Sequence, residues 1–448
     1  MGSVVVVVFP RSAVRPHEIS EAARQCGHSP VHVAAAGALD EAELAEYASF
    51  GPVVEADEHN LETALERLRP LRAAGVTTFS EGMVPFTSRL AHSLGLPYHD
   101  HETAIRLTDK RAQRRRLAEA GVDAVWSVPV TSRTEALAVM AGRPGPFVVK
   151  PVRGQSSIDT HFVGTAADLP ADLHPTEDRP FLVEEYLRGR DEGDFGDYVS
   201  VESLVMDGQV HTLGVTGKFP LMPPFREHGQ FVPSHLPAPE RADVARLATD
   251  AALALGVVSG LVHTEIKLTA GGPRIIEVNG RMGGFMPWMY RRATGLNLLE
   301  LGIRAACGFP VEIPEPVAKA VEFQYWGLSP LPSGALMRAD GADVLLKEPG
   351  VVGYEQRLPD GADLPAQSTS FFMDVVHGSA PDHRTMLETI DRSLAHMRFT
   401  FREPSGAVTV WQAQRGSMVR IDQTLSSNGR SQCARAHPQS NTLRSQDR

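Results

Sequence analysis

The sequence predicts an α/β protein, and three observations support that prediction. Residues 4–8 are five consecutive valines, typical of a strand that is buried on both faces of a parallel sheet. Strand-like and helix-like segments then alternate through the first hundred residues, which indicates a doubly wound unit. From about residue 105 the order changes, and two apolar strands flank a turn signal at residues 270–273, so an α+β arrangement is expected there.

Each element is predicted from its own residue pattern. No G-x-G-x-x-G motif follows the first strand, so the sequence offers no dinucleotide fingerprint. Residues 218–239 are rich in Pro and Gly and are expected to form a mobile loop. Strands are predicted at residues 4–9, 31–36, 53–54, 75–79, 124–130, 146–150, 181–186, 198–205, 261–268 and 274–281. Helices are predicted at residues 17–26, 61–71, 85–94, 108–120, 134–140, 240–256 and 384–397.

Length and composition exclude several classes of protein. A chain of 448 residues suggests about three domains, and 42% hydrophobic with 22% charged residues is typical of a soluble globular protein. A net charge of −10 argues against nucleic-acid binding. No apolar run approaches a membrane span and the N-terminus lacks a basic signal-peptide region, so we expect a cytoplasmic protein that contacts no membrane. Three cysteines without paired spacing exclude a disulfide framework and a Cys-based zinc site.

The strands around the turn at residues 270–273 carry the most informative polar residues. If the turn is centred near Gly271, Glu265 lies opposite Glu277, where two carboxylates repel each other. A divalent cation between them would offset that repulsion, and the oxygen ligands of two Glu and Asn279 suit Mg²⁺ or Mn²⁺ rather than zinc. Arg281, on the same face, can bind an anion beside the metal. The alternative is an exposed edge with ordinary charges, and a slip of one residue would remove the pairing.

A second motif is an apolar strand that ends at Lys150 and is followed by a loop with one glycine and two serines, Ser156 and Ser157. Backbone N–H groups of such a loop can bind phosphate oxygens, while the lysine adds a positive charge. The motif is not a Walker sequence. Taken alone, a surface lysine at a strand end is the commoner explanation.

A third motif is the basic start of a helix, with Thr108 as the expected N-cap. Lys110 and Arg114 fall in its first turns, where the helix dipole disfavours cations and where the two side chains repel each other. A bound anion would relieve both costs. A solvated basic helix is the alternative.

The fourth motif is the apolar strand at residues 181–186, which breaks into an acidic turn at residues 188–192. Backbone groups at a strand end can pair with the edge of adenine, and a carboxylate shortly afterwards can bind ribose hydroxyls. By itself this pattern is not specific.

Taken together and in this order, the four motifs resemble the ATP-grasp superfamily, and within it the carboxylate–amine ligase branch that includes the L-amino acid ligases. The resemblance covers residues 1–312, and residues 313–402 more loosely. It implies an ATP-grasp fold with an N-terminal Rossmann-like α/β domain and a C-terminal lid-like region. It also implies ATP and Mg²⁺, with Mn²⁺ as a substitute, as cofactors.

The resemblance also implies a role for each matching residue. Lys110 and Lys150 would contact ATP phosphates, beneath a loop that contains Ser156 and Ser157. The adenine contacts would come from Glu184 and Leu187, with Glu185 and Tyr186 between them. The usual ribose-binding Glu is replaced by Asp191, with Glu192 adjacent, and either could serve. Glu265, Glu277 and Asn279 would hold two Mg²⁺ ions, and the expected catalytic residues are Arg281, Lys150 and Glu277.

Residues 281–285, Arg-Met-Gly-Gly-Phe, resemble the branch's stretch in which an arginine is followed by a pair of glycines. Gly284, Phe285 and Trp288 would line an apolar substrate cleft that favours a compact partner, and Glu202 and His228 match stretches near the substrate. Glu202 and His228 could equally face solvent. The implied reaction joins a carboxylate to an amine, both small molecules such as amino acids, through an acyl phosphate. A homodimer, a dipeptide product and a place in secondary metabolism are expected by resemblance alone.

The predicted domains are residues 1–104 (N-terminal α/β), 105–312 (ATP-grasp), 313–411 (C-terminal α+β) and 412–448 (a disordered tail). Within the second, residues 125–205 would cover the nucleotide and residues 206–312 would bind metal. Three other functions stay open. They are an ATP-grasp enzyme that activates bicarbonate, a nucleotide-binding sensor without turnover and, least favoured for want of the glycine fingerprint, a Rossmann oxidoreductase.

Overall fold

The computed structural model describes residues 3–9, 14–57, 60–155, 157–313, 317–365 and 371–421. The first sheet is parallel, and its central valines, Val5 to Val8, are fully buried, which confirms the predicted strand. Its strands are β1 (Ser3–Val8), β2 (His28–Ala35), β3 (Val53–Ala56) and β4 (Gly75–Thr78), in the order β3-β2-β1-β4. The accompanying helices are α1 (Pro16–Gln25), α2 (Glu41–Phe50), α3 (Glu62–Leu68) and α4 (Val84–Leu94).

Helix α2 was not predicted, because it buries little. Tyr47 is its one buried residue, so the segment carries hardly any apolar periodicity. The helix begins instead on a polar signal, since the Asp40 carboxylate accepts a hydrogen bond from the Glu43 amide at 2.9 Å.

The second sheet is small and antiparallel. Its strands are β5 (Ser127–Val130), β6 (Phe147–Pro151), β7 (His161–Val163) and β8 (Phe181–Glu185), in the order β5-β8-β6-β7. Helices α5 (His101–Arg106) and α6 (Lys110–Glu119) precede this sheet, and α7 (Arg133–Ala141) packs on it.

The N-cap of α6 differs from the prediction. Asp109, not Thr108, caps the helix, because its carboxylate accepts a hydrogen bond from the Ala112 amide at 2.9 Å. The Thr108 hydroxyl donates backwards to the Ala104 carbonyl. An Asp at this position also offsets the helix dipole beside Lys110.

The third sheet has eight strands and joins the predicted metal-binding part to the C-terminal region. Its order is β13-β12-β9-β10-β11-β14-β17-β16, and a fourth sheet has the order β15-β18-β19-β20. These strands are β9 (Tyr198–Met206), β10 (Gln209–Lys218), β11 (Gly229–Val232), β12 (Gly260–Thr269), β13 (Gly272–Asn279), β14 (Val321–Gly327), β15 (Ala335–Asp340), β16 (Val351–Gln356), β17 (Asp374–Ala380), β18 (Arg398–Arg402), β19 (Val408–Gln414) and β20 (Ser417–Ile421). The remaining helices are α8 (Ala238–Leu255), α9 (Met286–Thr294), α10 (Leu298–Ala306), α11 (Ala342–Leu345) and α12 (His383–Leu394).

Two predictions about irregular segments are corrected. Strand β11 lies inside the stretch at residues 218–239 that was predicted to be a mobile loop, and all four of its residues are buried. Strands β19 and β20 occupy residues 408–421, so the predicted disordered tail does not begin at residue 412. The hairpin is anchored by Ala413, whose side chain is buried in the C-terminal core. The rest of that tail, residues 422–448, lies outside the described residues.

The hairpin of β12 and β13 has the predicted pairing but reaches it in a different way. Glu265 is paired with Glu277. Thr269 pairs with Gly272, so the turn is centred half a residue before Gly271. Ile266 pairs with Ile275 and Glu265 with Glu277, so β13 has one extra residue, Ile276, at this point. This bulge restores the predicted pairing. Both carboxylates therefore lie on one face of the sheet.

Across the described ranges, every helix is too short or too polar to pass through a lipid bilayer.

Candidate active site

One cavity gathers most of the predicted nucleotide-binding residues. It lies between the small sheet, the start of α6 and the β12–β13 hairpin. Predicted residues that line it are Lys110, Lys150, Ser157, Glu184, Glu185, Tyr186, Leu187, Glu265 and Glu277. Ser156 lies outside the described residues.

The lysines of this cavity are buried and are held by carboxylates. The Lys150 ammonium is 2.7 Å from a Glu184 carboxylate oxygen, and the Arg114 guanidinium is 2.8 Å from the other. Burial alone would raise the pKa of Glu184, but these two cations lower it to about 2. Burial lowers the pKa of Lys150, and Glu184 opposes that shift. Glu184 therefore contributes a side chain that fixes the cations, a role beyond the predicted backbone contact to adenine.

Lys110 lies between the β12–β13 hairpin and the loop that follows β6. Its ammonium lies 2.7 Å from a Glu277 oxygen and donates a hydrogen bond of 2.7 Å to the Gly154 carbonyl. Burial alone would lower the pKa of Lys110, but the charges of Glu277 and Glu81 raise it. The lysine stays charged and can bind an anion at this junction.

The end of the cavity beside Tyr186 and Leu187, where the adenine contacts were predicted, is apolar and aromatic. The amide of Tyr186 donates to the Pro146 carbonyl, and its ring meets Phe162 edge to face at 5.0 Å. Glu185 turns away, since its carboxylate accepts a hydrogen bond from the Trp126 amide at 3.0 Å. Tyr186 and Leu187 are thus the residues of this hinge best placed to contact a base.

Glu265 lines the cavity with a carboxylate whose pKa is lowered by its neighbours. Burial alone would raise its pKa, but the hydrogen bond from His263 and the nearby cations lower it to about 2. His263 is fixed in turn by Glu202, whose carboxylate lies 2.5 Å from Nδ1. Burial would lower the pKa of His263, but Glu202 and Glu265 raise it to about 9.

Asn279 completes an oxygen donor set that fits a divalent metal. It lies two residues beyond Glu277 on the same strand face. Its Oδ1 atom is buried, and within the described ranges no donor approaches it closely enough for a hydrogen bond. A buried oxygen in this condition is costly unless it binds something. The described part of the chain holds no cluster of three or more His, Cys, Asp or Glu side chains suited to a metal, so the fit rests on Glu265, Glu277 and the Asn279 amide.

Arg281 is held by a residue from the N-terminal sheet. Its guanidinium donates at 2.6 Å to Glu81, which follows β4, and at 2.9 Å to the Met282 carbonyl. Burial raises the pKa of Glu81, and Arg281 opposes that shift. The prediction for Arg281 did not include this partner, and no local motif marks Glu81.

The predicted substrate stretch leads into an aromatic cluster. The Gly284 carbonyl accepts a hydrogen bond from the Gln230 side chain at 2.9 Å. Phe285 has a positive φ of 61° and meets the rings of Trp326 and Phe372 at 5.7 and 5.5 Å. Trp288 lies elsewhere, with its ring against His377 at 4.9 Å.

Several predicted site residues are not among those that line the nucleotide cavity: Asn279, Arg281, Gly284 and Phe285, described above, and Glu202, His228, Asp191 and Glu192. Glu202 is buried under the glycine loop, where it accepts a hydrogen bond from the Gly283 amide at 3.0 Å. His228 lines a separate cavity and stacks on Tyr325 at 5.6 Å. Asp191 accepts a hydrogen bond from the Gly193 amide, while Glu192 binds Arg190 and His235. Neither acidic residue is among those that line the cavity, so the predicted ribose contact is not explained by this arrangement.

Lys218 was missed because it lies at the end of a strand and no distinctive motif marks it. Lys218, the last residue of β10, is 3% exposed and donates to Gln230 at 3.1 Å. Its charge is one of those that lower the pKa of Glu265. The cavity is also lined by Arg114, Tyr198, Glu227 and Lys267.

A small antiparallel sheet faces a carboxylate-bearing hairpin across a lysine-lined cavity, which is the arrangement expected from the resemblance to the ATP-grasp superfamily. Residues 143–287 match the ATP-grasp domain family. The chain therefore carries an ATP-grasp domain, and the predicted resemblance and fold are confirmed.

Three similar proteins are named as a synthase and two ligases. Carnosine synthase 1 from Gallus gallus is 30% identical over 287 residues, which is 58% of this chain and 30% of that protein. Alanine–anticapsin ligase from Bacillus subtilis is 24% identical over 58% of this chain and 59% of the ligase. The crystal structure of an L-amino acid ligase from Bacillus licheniformis superposes with a TM-score of 0.72 at 22% identity, covering 88% of this chain and 98% of that one. The matches span about a third to three fifths of the length of these curated relatives.

Proposed function

We propose that the protein is an ATP-dependent carboxylate–amine ligase that forms an amide through an acyl phosphate and releases ADP and phosphate. The observation that supports it best is the single cavity in which Lys110 and Lys150 face the Glu265–Glu277 pair. The names of the similar ligases favour amino acids, or an amino acid and a small carboxylic acid, as substrates.

In the proposed first step, a substrate carboxylate oxygen attacks the γ-phosphorus of ATP and the bond to ADP breaks. Phosphoryl transfer needs positioned charge more than covalent help from the protein. Lys110 and Lys150 bind the phosphates, and Arg281 stabilises the oxygen that becomes negative. Mg²⁺ held by Glu265, Glu277 and Asn279 would neutralise the triphosphate.

In the second step, an amine nitrogen attacks the acyl carbon, the C–O bond to phosphate breaks and the nitrogen loses a proton. Water competes with the amine for the acyl phosphate, so the site must exclude it. Phe285, which follows Gly284, packs against the buried rings of Trp326 and Phe372, and its half-buried ring is the proposed apolar wall of the substrate site. That wall favours a compact, apolar substrate group.

The test is a matrix of the twenty amino acids in pairs with Mg²⁺ and ATP, scored for phosphate and by mass spectrometry. We expect phosphate release together with an amide product for at least one pair. Phosphate release with bicarbonate alone would instead support a carboxylase-type enzyme. ATP binding by calorimetry without phosphate release under any condition would support a sensor.

The variant Glu277→Gln tests the metal-binding carboxylate in the same assay. Loss of one charged group from the phosphate site should lower turnover by about 10²–10³-fold. The control is Glu119→Gln, on the exposed side of α6. Wild-type turnover of Glu277→Gln would contradict the proposed role.

A further inference from the structure

The β12–β13 hairpin lies at one end of the eight-stranded sheet, and among the described residues its outer strand has no neighbouring strand on one side. In the order β13-β12-β9 and onwards, β13 is the edge. Unpaired backbone groups on an edge strand need other partners. Here three side chains from α6 and the turn after it provide them.

Gln113 binds β13 as a paired residue of a strand would. Its side-chain amide donates to the Val278 carbonyl at 2.7 Å and accepts from the Val278 amide at 2.9 Å. Asp123 acts in the same way further along the strand, accepting from the Ile275 amide at 2.6 Å and from Arg274 at 2.8 Å.

Arg114 binds the bulge itself. Its guanidinium donates to the carbonyls of Ile275 and Ile276 at 2.8 and 2.7 Å, while its remaining donors hold Glu184. The arginine is 6% exposed and all of these bonds are charge-assisted.

The bulge decides which residue faces Glu265. Ile266 pairs with Ile275, so an unbroken ladder would place Ile276 opposite Glu265. The bulge at Ile276 advances the strand by one residue and puts Glu277 there instead. Without it, Glu277 would point to the other face of the sheet.

We propose that Gln113, Arg114 and Asp123 are positioning residues that fix the bulge of β13 and so hold Glu277 opposite Glu265 for a divalent metal. This inference rests on the proposed function, because it assigns the pair to metal binding. Groups that orient metal ligands from behind typically change metal affinity 10–100-fold when they are lost.

Gln113→Met is the sharpest variant, because it keeps the length of the side chain and removes its bonds to Val278. The measurement is Mn²⁺ binding by electron paramagnetic resonance, in the presence of a non-hydrolysable ATP analogue, well below the unfolding temperature. We expect the Kd for Mn²⁺ to rise about 10–100-fold. We expect the Kd of the analogue without metal to keep its wild-type value, and kcat to recover at saturating Mn²⁺.

Arg115→Met is the matched control, since Arg115 is 72% exposed on the same helix and meets Glu119. It should leave Mn²⁺ binding unchanged. If Gln113→Met does not fold, Arg114→Lys replaces it, because lysine keeps the charge beside Glu184 but cannot also reach both carbonyls.

A folded variant with wild-type Mn²⁺ affinity would overturn the inference while leaving the proposed function intact. A purely structural role would lower the unfolding temperature without moving the Kd for Mn²⁺. Failure of the wild-type protein to bind Mn²⁺ with the nucleotide would overturn the proposed function and this inference with it.

Discussion

The functional side chains of the cavity are mostly buried ions, and each charge has an opposite charge beside it. Lys150 and Arg114 share Glu184, Lys110 meets Glu277, and Arg281 meets a carboxylate of the N-terminal sheet. Removing one partner of a buried pair leaves an uncompensated charge, which costs about 3–5 kcal/mol. The cations that are proposed to bind phosphate are therefore held in place by carboxylates of the protein.

A buried acid away from the cavity gives a prediction about stability. Burial raises the pKa of Asp374 from 3.8 to about 6, although hydrogen bonds from Tyr354 and Gly327 oppose the shift. Between about pH 4 and pH 6 the unfolded chain ionises while the folded protein keeps its proton, so folding loses stability as the pH rises, and above pH 6 the loss is complete. The loss amounts to about 2–3 kcal/mol.

Asp374→Asn removes that ionisation and keeps an oxygen acceptor for Tyr354. We expect the variant's free energy of unfolding at pH 7.5 to exceed that of the wild type by about 2 kcal/mol, with the difference shrinking as the pH falls towards 4. Urea unfolding across this range measures it, with Asp250→Asn, at an exposed position, as the control. A difference that does not depend on pH would contradict the assignment.

At the scale of elements, the glycine loop between β13 and α9 is held too closely to accept a side chain. A Cβ atom on Gly283 would lie 2.7 Å from His263 Nδ1 and 2.8 Å from the Met286 methyl group. His263 cannot retreat, because Glu202 binds the same nitrogen. A methyl group there must displace the loop that carries Arg281.

Gly283→Ala should therefore lower kcat about 10²-fold, since a shift of 1 Å in a positioned group can cost that much. ATP affinity should not change, because Gly283 does not line the nucleotide cavity. Gly271→Ala is the control, as its Cβ would have Thr269 Oγ1 at 3.8 Å as its nearest neighbour. Wild-type kcat in Gly283→Ala would show that the loop tolerates the shift.

Elements with strong apolar patterns could be predicted from the sequence, and those fixed by distant contacts could not. The valine run of β1 predicted a buried strand, because a continuous run of apolar residues is typical of a strand whose two faces are both covered. β11 was missed because its four residues lie among Pro and Gly, and its pairing with β14 joins residues about ninety apart. The Glu265–Glu277 pairing was predicted by placing the centre of the turn at Gly271. The turn is centred half a residue earlier, and the bulge compensates for that difference.

The whole molecule assembles its site from segments that the sequence keeps apart. Glu81 reaches Arg281 across two hundred positions, and Arg114 joins α6, the small sheet and the hairpin. Local patterns predicted roles for Arg281 and Lys150, but they contain nothing that specifies such partners. Partners that lie so far apart in the sequence can be identified only from the folded structure.

The eight-stranded sheet also continues through the boundary that the sequence placed at residue 312, and this gives the last prediction. β14 pairs with β11 from Gly229 to Val232, and Phe219 and Phe231 pack with Phe323 in the C-terminal core. Ending the chain after residue 312 would expose the first two rings, at a cost of about 3–6 kcal/mol, a large part of a typical total stability. We expect that shortened chain to lose the cooperative thermal transition that the full chain shows in circular dichroism. A folded, ATP-binding chain of residues 1–312 would contradict this prediction. It would show that β11 and its neighbours are stable without β14, and that the C-terminal region is an independent domain.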